Sequence, residues 1–390
     1  MSFGAGLKTL QTSSFPPGYR NISAIFASIA LLPGCNTPSQ VKGDAELPRV
    51  EVREAPLIRF PGANRPSTEQ AGECDCNSPA HWDGETLYVF NSAGHPWRAA
   101  GADLLHLGTS YVRCQYDNQV SGGRWIECTW KTQDKELYGW YHYEPTGICP
   151  GAHPESPKMN LTAPKIGAVK SNDNGATWHD LGVVLEPPPD TLKCDTKNYY
   201  FAGGNGDFSV MLDAKQEFLY FFFSNYPSVV AEQGVAVARM RWADRDQPTG
   251  KVSKWRSGHW DEPGIGGHVS PILPARVDWH RADADAFWGP SIHWNTHLRQ
   301  YVILLNHTKD GHFAQEGIYV TFNRDVGDPK GWTAPRNVPV PAGKLAWYPQ
   351  VIGLDKSRHE TDKLAGRIAR LFMRGESQWE LVLLRPGEQE

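Results

Sequence analysis

Two carboxyl groups in this chain have surroundings that suit acid–base chemistry. Asp207 follows the glycine-rich approach YFAGGNGDFSVML, where the glycines would let a ligand come close to the backbone. Glu144 ends the aromatic run LYGWYHYEP, and burial among aromatic rings is expected to raise the pKa of a carboxyl. Asp207, in a more polar setting, is expected to stay ionised. Two carboxyls with divergent environments are what acid–base cleavage of a glycosidic bond requires.

Both residues also have ordinary structural interpretations. Asp207 can cap a turn, and Glu144 can pair with an arginine at the rim of the domain. A third candidate, Glu262, lies in the Gly- and Pro-rich loop WDEPGIGGHVSP, where it is either catalytic or turn-forming. The predicted catalytic set is therefore Asp207, Glu144 and Glu262.

A repeated strand pattern must position these carboxyls. Five segments share a short apolar strand, a polar turn and an aromatic-rich strand that ends in polar residues; they begin SPAHWDGE, WIECTWKT, GDFSVMLD, GPSIHWNT and YPQVIGLD. A third strand follows each hairpin, and most then have a fourth, which predicts an all-β fold, a five-bladed β-propeller. The segment RVEVREAPLIRF would supply the missing strand of the last blade and leave no open edge. Six blades or a β-sandwich are the alternatives.

Blade geometry selects the residues at one mouth of the central channel, where first strands start and second strands end. The predicted starts are Asn77, Glu127, Asp207, Ser291 and Gln350. The predicted ends are Ser92, Glu144, Asn225, Asn306 and Arg374. Long loops follow these ends, and such loops commonly carry binding sites. The predicted substrate-binding residues are His81, His293, Asn77, Arg98, Ser291, Asn306 and Trp288.

Two histidines occupy matching places in these repeats. His81 lies in SPAHW and His293 in PSIHW, so the two rings can face each other across the channel and contact substrate hydroxyls. Buried core histidines are the ordinary alternative, and metal binding is a weaker third one. The cysteines include no Cys-x-x-Cys pair, so no zinc site is predicted. The chain is expected to need no metal or cofactor.

The stretch SNDNGATWHDLG, residues 171–182, lies between two apolar strands. Asn, Asp and Gly favour turns, whereas Thr and Trp suit the start of a strand, so the residues alone predict a β-hairpin turn. Ser171, Asp173, Gly175, Thr177 and Trp178 also resemble the Asp-box of sialidases and other β-propeller proteins. The resemblance implies a rigid turn between the third and fourth strands of the second blade, with Trp178 against its own hairpin. It concerns architecture and not chemistry.

A five-bladed propeller with axial carboxylates resembles the arabinan-degrading and related glycoside hydrolases. The resemblance implies a base, a pKa-modulating Asp and an acid Glu at first-strand starts. Asp207 matches this rule, while the first blade has Asn77 where an Asp is expected, with Asp75 nearby. Six-bladed sialidases are a second resemblance, through the Asp-box and through IRFP, residues 58–61. The arginine triad and the Tyr/Glu pair of sialidases are not assembled here.

The N-terminal segment has the pattern of an export signal. Basic residues precede ISAIFASIALLPGC, whose apolar run is too short to span a membrane but suits a signal peptide. Leu-Pro-Gly-Cys resembles the bacterial lipobox, which implies lipidation at Cys35 and a periplasmic or cell-surface protein anchored in a bacterial membrane. A buried helix is the alternative. The predicted organisation is a signal at 1–35, a tether at 36–56 and a propeller at 57–390.

Export is consistent with cross-links among the six remaining cysteines, whose 15 possible pairings the sequence alone cannot resolve. The net charge of −4 provides no footprint for nucleic acid. The 15 Trp and 14 Tyr suit a β-rich core, with some rings free to stack on sugars.

The sequence predicts an exported, lipid-anchored, monomeric hydrolase that cleaves a polysaccharide or glycoconjugate. A polysaccharide lyase on the same fold and a non-catalytic carbohydrate-binding lipoprotein are the alternatives.

Overall fold

Five β-sheets are arranged as the blades of a β-propeller. The computed structural model describes residues 47–60, 74–108, 111–150 and 161–389. Nearly all of its regular structure is β, and each sheet is mainly antiparallel. The predicted five-bladed all-β fold is confirmed. Cys35 and the predicted signal lie outside the described residues. Within the described ranges, no helix combines the length and the apolarity needed to cross a membrane.

The strands follow one another blade by blade, starting with β1 (Arg49–Arg59), which belongs to the last blade. Blade one contains β2 (Ala80–Asp83), β3 (Thr86–Phe90), β4 (Trp97–Gly101) and β5 (Val112–Arg113). Blade two contains β6 (Gln115–Tyr116), β7 (Gly122–Lys131), β8 (Leu137–Pro145), β9 (Lys165–Ser171) and β10 (Thr177–Leu185). Blade three contains β11 (Asn205–Leu212), β12 (Phe218–Asn225), β13 (Gly234–Arg241), β14 (Ser253–Arg256), β15 (His259–Pro263) and β16 (Leu273–Pro274).

Blade four contains β17 (Ala286–Asn295), β18 (Gln300–Thr308), β19 (Gly317–Asn323) and β20 (Arg336–Asn337). Blade five contains β21 (Gln350–Gly353), β23 (Ile368–Met373) and β24 (Glu376–Leu384), while the short β22 (Leu364–Ala365) pairs with β17. Short 3-10 helices occupy the connections at Pro189–Thr191, Val230–Glu232, Trp242–Asp244 and Lys356–Arg358.

The N-terminal strand completes the last blade. β1 pairs antiparallel with β24, with Arg49 opposite Leu384 and Arg59 opposite Glu376. Val50 and Val52 pack against the apolar cluster shared by blades four and five. This is the closure expected from RVEVREAPLIRF. Residues 49–56 therefore belong to the propeller rather than to the predicted tether, because β24 would otherwise present an open edge.

The aromatic strand β12 shows how the blades pack on one another. Every residue of FLYFFFSN after the first is buried, because a blade in the ring is covered on both faces. Successive side chains point to opposite faces. Phe221 and Phe223 accordingly join the core shared with blade two, whereas Tyr220 and Phe222 join the core shared with blade four.

Residues 171–178 form a hydrogen-bonded turn between β9 and β10. Asp173 accepts from the Thr177 amide at 2.9 Å and the Thr177 hydroxyl at 2.7 Å, and the Ser171 hydroxyl donates to it at 2.8 Å. The Trp178 ring is buried against Gly139 of β8 and Phe90 of blade one. Arg98 donates to the Asp173 carbonyl at 2.8 Å, so the turn also fastens blade two to blade one.

Replacing Asp173 by Ala is expected to destabilise the protein by about 1 kcal/mol, because the turn loses the hydrogen bonds to this carboxylate and water replaces them only in part. Denaturant unfolding measures the change. Asn172→Ala, at an exposed position of the same turn, is the control and is expected to stay within about 0.5 kcal/mol of the original protein. Equal stabilities for the two variants would show that the turn is held by its backbone alone.

One disulfide is present in the described part of the chain. Cys149 is bonded to Cys194, whereas Cys74, Cys76, Cys114 and Cys128 are buried and lie outside this bridge. The predicted cross-linking therefore extends to one pair. Cys74, Cys114 and Cys128 pack in apolar clusters of the core, a common use of buried cysteine, whereas the Cys76 sulfur also faces Asp207.

Candidate active site

Two β-bulges place acidic side chains at the propeller axis. The pairing of β7 with β8 shifts between Ile126 and Cys128, and that of β11 with β12 shifts between Gly206 and Phe208. Glu127 and Asp207 are the extra residues, and a bulge re-aims the side chain that it carries. Asp207 has a positive φ of 41°, in the left-handed region that Asp tolerates better than most residues.

The two bulged carboxyls meet a thiol and an imidazole. Donor atoms of Cys76, Glu127, His142 and Asp207 all lie within 4.8 Å of one another, and all four residues are buried. We refer to these four residues as the axial cluster. Cys76 precedes β2, Glu127 and His142 lie on the paired strands β7 and β8, and Asp207 lies on β11. Three consecutive blades thus contribute to one polar centre.

Hydrogen bonds hold each ring and carboxyl of the axial cluster. His142 Nδ1 lies 3.1 Å from Glu127 Oε1 and accepts from the Asp207 amide at 3.0 Å. Glu127 Oε2 accepts from the Phe208 amide at 2.9 Å. The Tyr226 hydroxyl donates to Asp207 Oδ2 at 2.6 Å. The side chains are therefore fixed from outside the cluster as well as within it.

Burial dominates the electrostatics of Asp207 and His142. Loss of solvent raises the pKa of Asp207 to about 7, a shift that the neighbouring His142 opposes and Glu127 reinforces. Burial alone would lower the pKa of His142, but hydrogen bonds with Glu127 and Glu144 raise it well above its ordinary value. The sequence predicted a more polar setting in which Asp207 stays ionised. In the structure Asp207 is buried and accepts a hydrogen bond from the Tyr226 hydroxyl. Gly204 and Gly206, which precede it, allow Pro164 and His142 to pack against the backbone.

Glu144 connects the axial cluster to solvent. Its Oε1 lies 3.2 Å from His142 Nε2, and 31% of its side chain is exposed, against 2% for His142 and for Asp207. The sequence predicted a carboxyl buried among aromatic rings. Glu144 instead lies near the end of β8, where the strand leaves the blade. It is the carboxyl of this group that a soluble substrate can reach.

Polar side chains at the first strands of other blades make hydrogen bonds between blades or are buried. Asn77 Nδ2 donates to the carbonyls of Phe208 and Pro290 at 2.9 and 3.0 Å, which joins blade one to blades three and four. Gln350 bonds both backbone groups of Ser78, at 2.6 and 2.8 Å. Ser291 is buried on β17. These predicted first-strand positions therefore lie around the axis, as the blade geometry requires.

Aromatic residues pack beside the axial cluster. Trp288 is buried, with Phe313 and Tyr348 ring centroids 5.3 and 5.5 Å from its own, and it shares an apolar cluster with Cys76. Asn306 accepts from the Tyr348 amide at 2.9 Å and donates to the Trp288 carbonyl at 3.3 Å. The predicted binding residues Trp288 and Asn306 thus hold one another, and both are buried.

Besides the residues described above, four more predicted site residues lie outside the axial cluster. His81 is buried 5.2 Å from the Tyr88 ring, and burial lowers its pKa to about 3. Burial likewise lowers the pKa of His293 to about 3. Arg98 holds the turn between β9 and β10, as described above. Glu262 bonds to Arg256 on β14 and to the His268 amide, at the outer part of blade three.

Sequence reasoning did not select His142, Cys76 or Tyr226. A signal for His142 was present, because it stands two residues before Glu144 on one strand and so shares its face. Tyr226 follows the predicted second-strand end Asn225, and Cys76 precedes the predicted start Asn77. Each was one step from a selected position. Chemically, the assembly pairs a solvent-facing carboxyl with a buried imidazole and two buried carboxyls, which suits proton transfer at Glu144.

No protein-family model and no curated protein matches the chain. Among solved structures, it is similar to an exo-β-1,3-galactanase from Phanerochaete chrysosporium, with a TM-score of 0.47 and 13% identity over 84% of this chain and 64% of that one. It is also similar to the catalytic domain of a Coprinopsis cinerea GH62 α-L-arabinofuranosidase, with a TM-score of 0.44 and 10% identity over 87% and 97% of the chains. A thermostable family-43 glycoside hydrolase gives a TM-score of 0.45 and 8% identity over 80% and 95%. The chain thus spans less than two thirds of the galactanase, and these likenesses concern the fold.

Proposed function

We propose that this protein is a glycoside hydrolase that cleaves a polysaccharide or glycoconjugate at the channel mouth beside Glu144. The observation that carries the proposal is the link from solvent-exposed Glu144 through His142 to buried Glu127 and Asp207. Glycosidic cleavage needs a carboxyl that exchanges a proton with the leaving oxygen or with water. Glu144 is the carboxyl of this set that can meet a sugar.

The other residues of the set support Glu144 from behind. His142 lies against Glu144 through Nε2 and against Glu127 through Nδ1, so the ring orients one carboxyl relative to the other. Asp207 is the second carboxyl of the pair predicted from the sequence. It is held by Tyr226 and by its position on the bulge. Positioned acid–base groups of this kind typically contribute about a hundredfold to ten-thousandfold in rate.

A carbohydrate-binding protein without catalysis is the second candidate. The burial of Glu127 and Asp207 favours it, because a glycan at this mouth would contact Glu144 and would not reach the two buried carboxyls. A lyase on the same fold would need His or Tyr as base, and the two candidates at the site, His142 and Tyr226, are buried.

We propose in addition that the protein is exported and anchored in a bacterial membrane by lipid on Cys35. The motif LLPGC after an apolar segment supports this location. We also propose that residues 171–178 are an Asp-box, and the hydrogen bonds of Ser171, Asp173 and Thr177 support this assignment.

Incubation of the protein with a panel of polysaccharides and glycoconjugates tests the proposed activity. Mass spectrometry of the products separates the candidates. Products that have gained water support the hydrolase, unsaturated ends indicate the lyase, and retention of an intact glycan indicates the binding protein. If the protein neither cleaves nor retains any glycan of the panel, a carbohydrate function for this mouth is rejected.

A further inference from the structure

The axial cluster has the donor set and the spacing of a metal site. Its sulfur, nitrogen and two oxygens all lie within 4.8 Å of one another. His142 Nδ1 is 3.1 Å from Glu127 Oε1 and 3.9 Å from Asp207 Oδ1, and Cys76 Sγ is 3.9 Å from Asp207 Oδ1. Tetrahedral zinc, with ligand distances of about 2.0–2.3 Å, keeps its donors roughly 3.3–3.8 Å apart.

The atoms that would not bind the metal already have partners. Glu127 Oε2 accepts from the Phe208 amide, Asp207 Oδ2 accepts from the Tyr226 hydroxyl, and His142 Nε2 bonds to Glu144. The atoms left facing one another are Oε1, Oδ1, Nδ1 and the Cys76 sulfur. A ligating histidine usually gives its second nitrogen to a carboxylate in this way, which fixes the ring.

The inward-facing atoms require either a proton or a metal ion between them. Nδ1 accepts from the Asp207 amide and so carries no proton in that bond, yet Glu127 Oε1 approaches it to 3.1 Å. Two acceptors at this distance repel unless a cation or a proton lies between them. Buried carboxylates are costly unless they are paired or bind a metal, and both Glu127 and Asp207 are almost fully buried.

We propose that Cys76, Glu127, His142 and Asp207 bind one divalent transition-metal ion, best matched by Zn²⁺, at the propeller axis. Thiolate and imidazole donors select zinc over calcium or magnesium, which prefer oxygen ligands. Binding releases the thiol proton of Cys76 and any proton on His142 Nδ1 to solvent. The lone pair of Nδ1 then faces the ion in place of the Asp207 amide.

The site is closed and its role is structural. Four protein ligands complete a tetrahedral shell, whereas catalytic zinc keeps an open position for water. The ion would join blades one, two and three at their inner strands. Three of the four ligands also support Glu144 in the proposed hydrolysis, and His142 would keep its Nε2 contact with Glu144 while Nδ1 binds the ion. Metal binding is measured without substrate, so its failure is distinguishable from a failure of the proposed hydrolysis.

The test uses the full-length protein purified without chelator. Elemental analysis is expected to find one zinc ion per chain, or one after ZnCl2 is added to chelator-treated protein and excess is removed. Zinc is expected to raise the Tm of the chelator-treated protein. Titration with Co²⁺ is expected to give a thiolate-to-cobalt charge-transfer band and the intense visible bands of tetrahedral cobalt.

Cys76→Ser and Glu127→Gln are expected to lose the zinc-dependent rise in Tm and to weaken zinc binding at least about tenfold. Cys74→Ser, at a buried cysteine two residues before Cys76 and outside the axial cluster, is the matched control and is expected to keep both. If the protein without substitutions takes up no Zn²⁺ and gives no cobalt charge-transfer band, the proposal is overturned, whether or not the variants fold. A cobalt band that persists in Cys76→Ser overturns it as well. Neither result bears on whether the protein cleaves glycans.

Discussion

Glu144→Gln is expected to lower hydrolysis by about a hundredfold to ten-thousandfold while leaving the fold intact. Gln keeps a carbonyl oxygen that accepts from His142 Nε2, so the 3.2 Å contact can survive. It cannot give or take the proton that acid–base catalysis needs. The measurement is the initial rate on a glycan that the original protein cleaves, together with Tm. Stability is expected to change by no more than about 0.5 kcal/mol, as is usual at partly exposed positions.

Glu136→Gln is the matched control for this change. Glu136 directly precedes the opposite end of the same strand, and its side chain is 35% exposed, against 31% for Glu144. It bonds to Lys170 and lies outside the axial cluster. Its replacement is expected to leave the rate unchanged. Equal rates in the two variants would remove Glu144 from the mechanism and assign the proton transfer to another group.

Removing the Cys149–Cys194 disulfide is expected to be the largest change in stability. The bridge spans 45 residues, and the chain-entropy model assigns a loop of that length roughly 4 kcal/mol. The loop contains β9 and β10, so its release would free the outer half of blade two to unfold more readily. The measurement is the free energy of unfolding of the Cys149→Ala, Cys194→Ala double variant in denaturant.

Reductant provides the control for this double variant. Dithiothreitol is expected to lower the stability of the original protein to that of the variant and to leave the variant unchanged. Thiol counting in denaturant is expected to detect Cys74, Cys76, Cys114 and Cys128 in both proteins, besides any thiol outside the described residues. If dithiothreitol destabilises both proteins equally, the loss of stability does not come from the Cys149–Cys194 disulfide.

The blade pattern and the ring closure were predictable because they depend on local chemistry. Alternating apolar residues and polar turns specify antiparallel hairpins, and the repeat of those hairpins specifies a propeller. The same rule placed Glu127 and Asp207 at the axis and Glu144 at the mouth. Those positions depend on strand order and direction, which the repeat itself reveals.

The chemistry of the cluster depended on features that the repeat does not carry. The bulges at Glu127 and Asp207 are single-residue register shifts, and no residue pattern marks them. Cys76 meets Asp207 across 131 positions of the chain, so no short spacing motif could announce the donor set. The position of Glu262 was also not predictable from the sequence, because the composition of its loop fits a turn as well as a site. Its bond to Arg256 depends on the pairing of β14 with β15.

The pairing of β1 with β24 has a consequence for the order of folding. Arg49 bonds to Glu388 across 339 positions, so the last blade cannot be completed until almost the whole chain is available. Contacts of such long range incur the full entropy of loop closure before they stabilise anything, and they slow folding. Blades one to four can form as their hairpins emerge, but β1 has no partner until β24 is made. Until the two strands pair, β24 presents an unpaired edge, and a chain that lacks β1 (Arg49–Arg59) is expected to associate through that blade instead of closing.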